Sequence, residues 1–139
     1  MCNTVTFRAV QDLCAHKMAP RLYERLSGVC DAHIAACTKA LAAPTPDMHT
    51  FLTRLAAAWA DHCEHMLTVR NIFLYLDRTY VLPNASLRGL WDLGLHLFRL
   101  HLAEAPGVQN RLVTGLLAMV SLSYSSVSSL SAYPTFVVG

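Results

Sequence analysis

The sequence predicts an all-α protein, an antiparallel bundle of four to five helices with an irregular C-terminal tail. Three observations carry this expectation. Apolar residues recur every three or four positions over most of the chain, the period of an amphipathic helix. Breaks at Ala19-Pro20, "APTPD" (43–47), "LPNAS" (82–86) and "APG" (105–107) separate the periodic blocks with connections short enough to return the chain antiparallel. Finally, 139 residues that are 54% hydrophobic and 14% charged suit one packed domain and not a disordered chain.

The elements follow in order. A first helix runs up to the break at Ala19-Pro20, and Pro20 opens the second, where a missing N–H costs nothing. Behind it Leu22, Leu26, Val29, Cys30, His33 and Cys37 form one apolar stripe of about six turns. Asp47 is placed to cap the next helix. There Met48, Leu52, Leu55, Trp59, His62, Met66, Val69, Phe73, Leu76 and Tyr80 step forward by threes and fours without a miss, predicting the longest element of the chain. From Met66 onward this helix gains a second face made of Asn71, Leu74, Tyr75, Arg78 and Leu82, a mixture of aromatic, aliphatic, amide and guanidinium groups typical of protein interfaces. A helix over 86–102 carries one polar strip, Arg88, Asp92, His96 and Arg99, among leucines, Trp91 and Phe98. So much apolar surface on a small bundle leaves faces over for a partner.

After Arg111 no charged residue occurs, and "SLSYSSVSSLS" (121–131) reads as the point where helical patterning dissolves into a tail. Seven serines and a proline dilute the 28 uncharged residues too far for a membrane anchor. The net charge of +2 is spread along the chain without a basic stripe, which argues against direct nucleic-acid binding. Cys2, Cys14, Cys30, Cys37 and Cys63 are odd in number and lack paired spacing, so they read as reduced intracellular thiols, in nucleus or cytoplasm. Asn84-Ala85-Ser86 spells a glycosylation acceptor but reads as turn chemistry in the absence of a secretory signal.

Chemistry has little support. In Asp61-His62-Cys63-Glu64-His65 only pairs three or four apart share a helical face, and His62 falls on the core stripe. Cys30, His33 and Cys37 share a face within an apolar setting where buried thiols are common. Phosphate loops, a G-x-S-x-G turn and an H-E-x-x-H helix are all missing from the sequence, so neither an enzyme nor a cofactor or metal site is expected.

The segments "AVQDLCAHKMAPRLYERLSGVCDAHI" (9–34), "WADHC" (59–63), "RNIFLYLDRTYVLPNASL" (70–87) and "LWDLGLHLFRLHL" (90–102) together closely resemble the first N-terminal repeat of the cullin family. "DLCAHK" and "FLYLDRTYVL" are most similar to the cullin-4 group. The resemblance runs over about residues 8–119 and is weakest across 38–50, so residues 1–120 are expected to form a partial first cullin repeat and 121–139 a serine-rich tail outside the family pattern.

It implies a non-catalytic scaffold piece of a cullin-4-type RING ubiquitin ligase. Its partner would be the triple-propeller adaptor, the large subunit of the damaged-DNA-binding complex. The docking positions it implies are Phe7 and Gln11 on the first helix and Asn71, Leu74, Tyr75, Arg78 and Thr79 on the long one. Core and docking faces would then divide at Asp77-Arg78, with Asp77 facing the interface or orienting a neighbour inside the bundle. Against the family pattern, "MCNTVTF" replaces the usual approach to the first helix, and the RING-binding and modifier-accepting regions have no counterpart in this chain. A truncated or mis-spliced cullin product that does not bind the adaptor stably is the alternative expectation.

Overall fold

A computed structural model describes residues 2–130. They form helices α1 (Cys2–Ala15), α2 (Ala19–Leu41), α3 (Met48–Ile72), the single turn α4 (Leu74–Leu76), a π-helical turn (Asp77–Val81), α5 (Leu90–Glu104) and α6 (Val108–Leu130). The all-α bundle is as the periodicity predicts, with six α-helical pieces where four to five were expected. Helices α2, α3 and α5 pack on one another, α1 lies against α4 and the end of α3, and α6 rests on α3 and α5.

Local chemistry accounts for the joints. Lys17 closes α1 in the left-handed region at φ 59°, with Lys17 N–H donating to the Cys14 carbonyl (3.1 Å) and Met18 N–H to that of Leu13 (2.9 Å), the paired bonds of a Schellman ending. Pro20 then stands in the first turn of α2. Asp47 caps α3 as its position predicts, accepting from Thr50 N–H at 2.7 Å and from the Thr50 hydroxyl at 3.0 Å. These bonds hold its carboxyl below the ordinary value. Asn84 Oδ1 accepts from both the N–H (3.1 Å) and the hydroxyl (2.7 Å) of Ser86, so the glycosylation-like triplet is a side-chain-closed turn.

Three apolar clusters follow one another along α2 and α3. Val10, Ala19, Leu76 and Val81 form the first, under α1. Cys30, Ile34, Met66, Leu93, Leu97 and Phe98 form the second, between α2, α3 and α5. Leu41, Phe51 and Val108 form the third, at the start of α6. Arg111 belongs to the third: its guanidinium lies 4.3 Å from the centre of the Phe51 ring and donates to the Thr45 hydroxyl.

Helices α3 and α5 come very near each other at Gly94, where a Cβ would stand 2.7 Å from Met66 Cγ. One turn away, buried His62 donates from Nε2 to the Gly94 carbonyl at 3.1 Å, and its ring lies 4.8 Å from that of Phe98. A carbonyl only accepts, so the proton of the neutral imidazole is on Nε2. Burial lowers the His62 pKa, the bond to Gly94 opposes that shift, and the charges of His33 and His65 reinforce it.

Several expectations need correction. The long helix does not run unbroken to Tyr80: Phe73 leaves helical geometry (φ −97°, ψ 20°), and a π turn follows in which Leu82 N–H reaches back to the Asp77 carbonyl at 2.8 Å. The extra residue of that turn places both Asp77 and Val81 inside. On α2, Val29 (67% exposed), His33 and Cys37 lie outside the core, and Ile34 and Thr38 replace them. Thr38 tolerates burial because its hydroxyl donates to the Ile34 carbonyl at 2.9 Å.

Helix α5 begins at Leu90 and not at Ser86, because the intervening residues are spent on the Asn84 turn. The serine-rich stretch is helical to Leu130. Its hydroxyls on Ser123, Ser125, Ser126 and Ser128 each donate to the carbonyl four residues back, and neither Gly nor Pro interrupts 116–130. The remainder of the expected tail (121–139), residues 131–139, lies outside the described residues. Among the described residues no helix is long and apolar enough to cross a membrane.

Gly94→Ala should cost about 1–3 kcal/mol, since Met66 must abandon its rotamer; thermal or urea unfolding reads this directly. For His62 the sign follows from its lowered pKa. The unfolded state takes up a proton near about pH 6.5, whereas the folded state does so only at lower pH. The His62 contribution is therefore complete above that value and is lost as pH falls. The parent Tm should drop more steeply between pH 7.5 and 5 than that of His62→Gln, and parallel curves would refute the assignment.

Candidate functional site

The site is built where α1 meets the end of α3. Val10 of α1 is buried in the first cluster and fixes that helix against Leu76 and Val81. Phe7, one turn earlier, is half-buried and opens onto a groove of about 280 Å³ that it shares with Thr4, Asn71 and Ile72. Two of the sequence-predicted docking residues, 64 positions apart in the chain, are thereby brought to one surface. Gln11 is half-buried on the same helix as Phe7.

Beyond the groove, α4 carries half-buried Leu74 and Tyr75, with Tyr75 packed against the first apolar cluster. Arg78 and Thr79 are exposed on the π turn, where the Thr79 hydroxyl donates to the Tyr75 carbonyl at 2.7 Å. All seven positions lie on elements that pack on one another, and the groove itself joins Phe7 to Asn71. Thr4 and Ile72 also line it. Periodicity could not have selected them, because that pairing depends on how α1 crosses α3.

The Asp77-Arg78 boundary has a definite geometry. Asp77 is buried, and its Oδ1 accepts from Leu90 N–H at 2.9 Å. Leu90 is the first residue of α5, whose own N-cap position is Gly89 with no side chain to offer. A carboxylate from the π turn therefore caps α5 from 13 residues away and meets the positive end of its dipole. Asp77 is a structural residue, and Arg78 beside it faces solvent.

A second cleft, of about 440 Å³, opens between α2 and α3 with His33, Cys37, Asp61 and His65 at its rim over Ile34 and Phe98. His33 Nε2 is 3.7 Å from Cys37 Sγ, and the His33 and His65 rings meet edge to face at 5.7 Å. Among the described residues no three such side chains are grouped so as to hold a metal ion.

Comparison with known proteins agrees with this architecture. The family model "Cullin alpha solenoid domain" matches residues 4–129. Human Cullin-4A is 40% identical over 114 residues, covering 82% of this chain and 15% of that protein. Cullin-4 of Dictyostelium discoideum is 35% identical (80% and 14% covered), and Cullin-3 of Caenorhabditis elegans 30% identical (86% and 15%). The chain belongs to the cullin family. It spans about 15% of the length of the curated relatives it matches.

Removing the Asp77 cap should loosen α5 at its start. Asp77→Ala is expected to cost about 1–2 kcal/mol and Asp77→Asn, which keeps an acceptor, clearly less. Faster hydrogen exchange at the Leu90 amide in the alanine variant checks that the loss is local.

Proposed function

We propose that this chain is a non-catalytic scaffold piece of a cullin-4-type RING ubiquitin ligase, serving ubiquitin-dependent protein degradation. Its role is to dock the triple-propeller adaptor, the large subunit of the damaged-DNA-binding complex, through Phe7, Gln11, Asn71, Leu74, Tyr75, Arg78 and Thr79. The observation that supports this reading is the shared groove of Phe7 and Asn71, which joins the two segments that the family resemblance designates for docking. The identity to Cullin-4A and to Cullin-4 supports the choice of ligase type. In this reading Phe7 supplies apolar area at the centre, and exposed Arg78 supplies a charged contact at the rim.

The test is calorimetric titration of the purified chain with the triple-propeller adaptor at matched salt. Saturable one-to-one binding is expected, with Phe7→Ala weakening it roughly 5- to 150-fold, the equivalent of about 1–3 kcal/mol. Tyr75→Ala should weaken it too, but it also opens the first cluster, so its effect is read only beside its unfolding curve. No binding by a chain that unfolds cooperatively would sink the docking reading, as would unaltered affinity in the Phe7 variant.

A further inference from the structure

The cleft between α2 and α3 takes no part in the docking reading, since no residue of α1, α4 or the π turn lines it. The two helices run antiparallel there: the Leu41 end of α2 packs with Leu55 and Ala58 of α3, while His33 meets His65. Between these contacts Cys37, Ala40 and Ala58 have side chains too short to reach across, and a space is left. Ile34, Leu41 and Phe98, at 2%, 6% and 4% exposure, close its floor.

The cleft is long for its volume. Arg54, Ala58, Asp61 and His65 follow one another by four, three and four residues along one side of α3, a run of about 16 Å. Its other side, from His33 to Leu41, extends about 12 Å. Spread over that length, about 440 Å³ makes an elongated slot, within the range of small-molecule sites and too narrow for a helix about 10 Å across.

Its ends differ in charge. Arg54 is exposed at the Leu41 end, and among the described residues its guanidinium has no ion-pair partner. Asp61, the carboxylate of the rim, stands two turns further on, about 10 Å along the axis, where His33, Cys37 and His65 gather. Midway, the floor is hydrocarbon, and the Nε2 proton of His62 is already spent on the Gly94 carbonyl. The slot therefore offers an apolar trough with one unpaired cation at one end.

We infer that this cleft is a binding site for a medium-chain acyl carboxylate, its chain laid over Ile34, Ala58 and Phe98 and its head group on Arg54. A guanidinium donates two parallel N–H bonds to a carboxylate, and its single charge matches that of the head group. The chain takes the apolar floor out of water, which supplies the non-directional part of the affinity. Asp61, at the far end, discourages the reversed orientation by like charge.

Decanoate, titrated calorimetrically into the full chain, is the probe. Saturable one-to-one binding is expected, with a Kd of about 0.05–1 mM, ordinary for a ligand of that size. Decyltrimethylammonium, with the same chain and the opposite charge, should bind at least about fivefold more weakly. Arg54→Gln should weaken decanoate about 5- to 15-fold and leave the cationic amphiphile within about twofold. Arg21→Gln removes the same charge from an exposed position on α2 outside the cleft and should change neither. The place of binding is read at Cys37: decanoate should slow its alkylation by iodoacetamide, followed by peptide mass spectrometry, and not that of Cys63, which does not line the cleft.

Absence of saturable binding up to about 5 mM would overturn the inference, since a seated chain of this size binds more tightly than that. So would equal affinity for the two head groups, or equal losses in the Arg54 and Arg21 variants, because general charge would then be responsible. Saturable binding that leaves Cys37 as reactive as before would place decanoate elsewhere on the molecule and refute the site.

Discussion

Most of this fold hangs on how near α5 can come to α3. Gly94 lets Met66 lie directly on the α5 backbone, and His62, one turn earlier on α3, bonds the carbonyl of the same glycine. Dispersion at this distance is at its strongest, and the hydrogen bond fixes the sliding of one helix along the other. Helix α2 then has one shallow trough to fill, which Cys30 and Ile34 occupy. Its far edge is tied to α5 by His101, 2.7 Å from Asp31.

That arrangement hands a problem to the π turn. Helix α5 must start at Leu90, beneath the end of the long helix, where no local side chain can cap it. The extra residue of the turn rotates Asp77 inward to do so, with Val81 following it into the first cluster. The same rotation leaves Arg78 and Thr79 outside. One irregularity in hydrogen bonding thus sorts three consecutive positions, 77–79, into cap and surface, and the candidate docking residues Arg78 and Thr79 stand directly beside the cap.

Much of this was legible in the sequence. Helix type, the Asp47 cap, the Pro20 start and the Asn84 turn depend on neighbours within a few residues, and the local pattern specifies them. The stripe was legible at His62 and Met66, where burial follows the helical period, but Trp59 on it is 41% exposed and fully buried Phe51 was left out of it. What the pattern could not convey is where that period changes. A π turn and a one-residue departure at Phe73 leave the alternation of apolar residues nearly intact while shifting which of them face inward. Val29 and Cys37 misled for a related reason: α2 lies along a shallow trough, and only the centre of its apolar arc reaches α5. The serines of α6 misled because composition was read as a loop, although a hydroxyl bonded to the carbonyl one turn back is at home in a helix. For the candidate site, the family resemblance designated α1 and the long helix. The groove between Phe7 and Asn71 required the crossing itself.

The joint at Lys17 has a mechanical side. Helix α1 is a lever pinned at one end by two backbone hydrogen bonds around a left-handed residue and resting near its middle on Val10, which is seated in the first cluster. Phe7 lies on the free arm beyond Val10, so whatever presses on it bears on the first cluster and on the Lys17 joint beside it, where Cys14 and Ala19 pack against the same residues, and not directly on the α3–α5 contact.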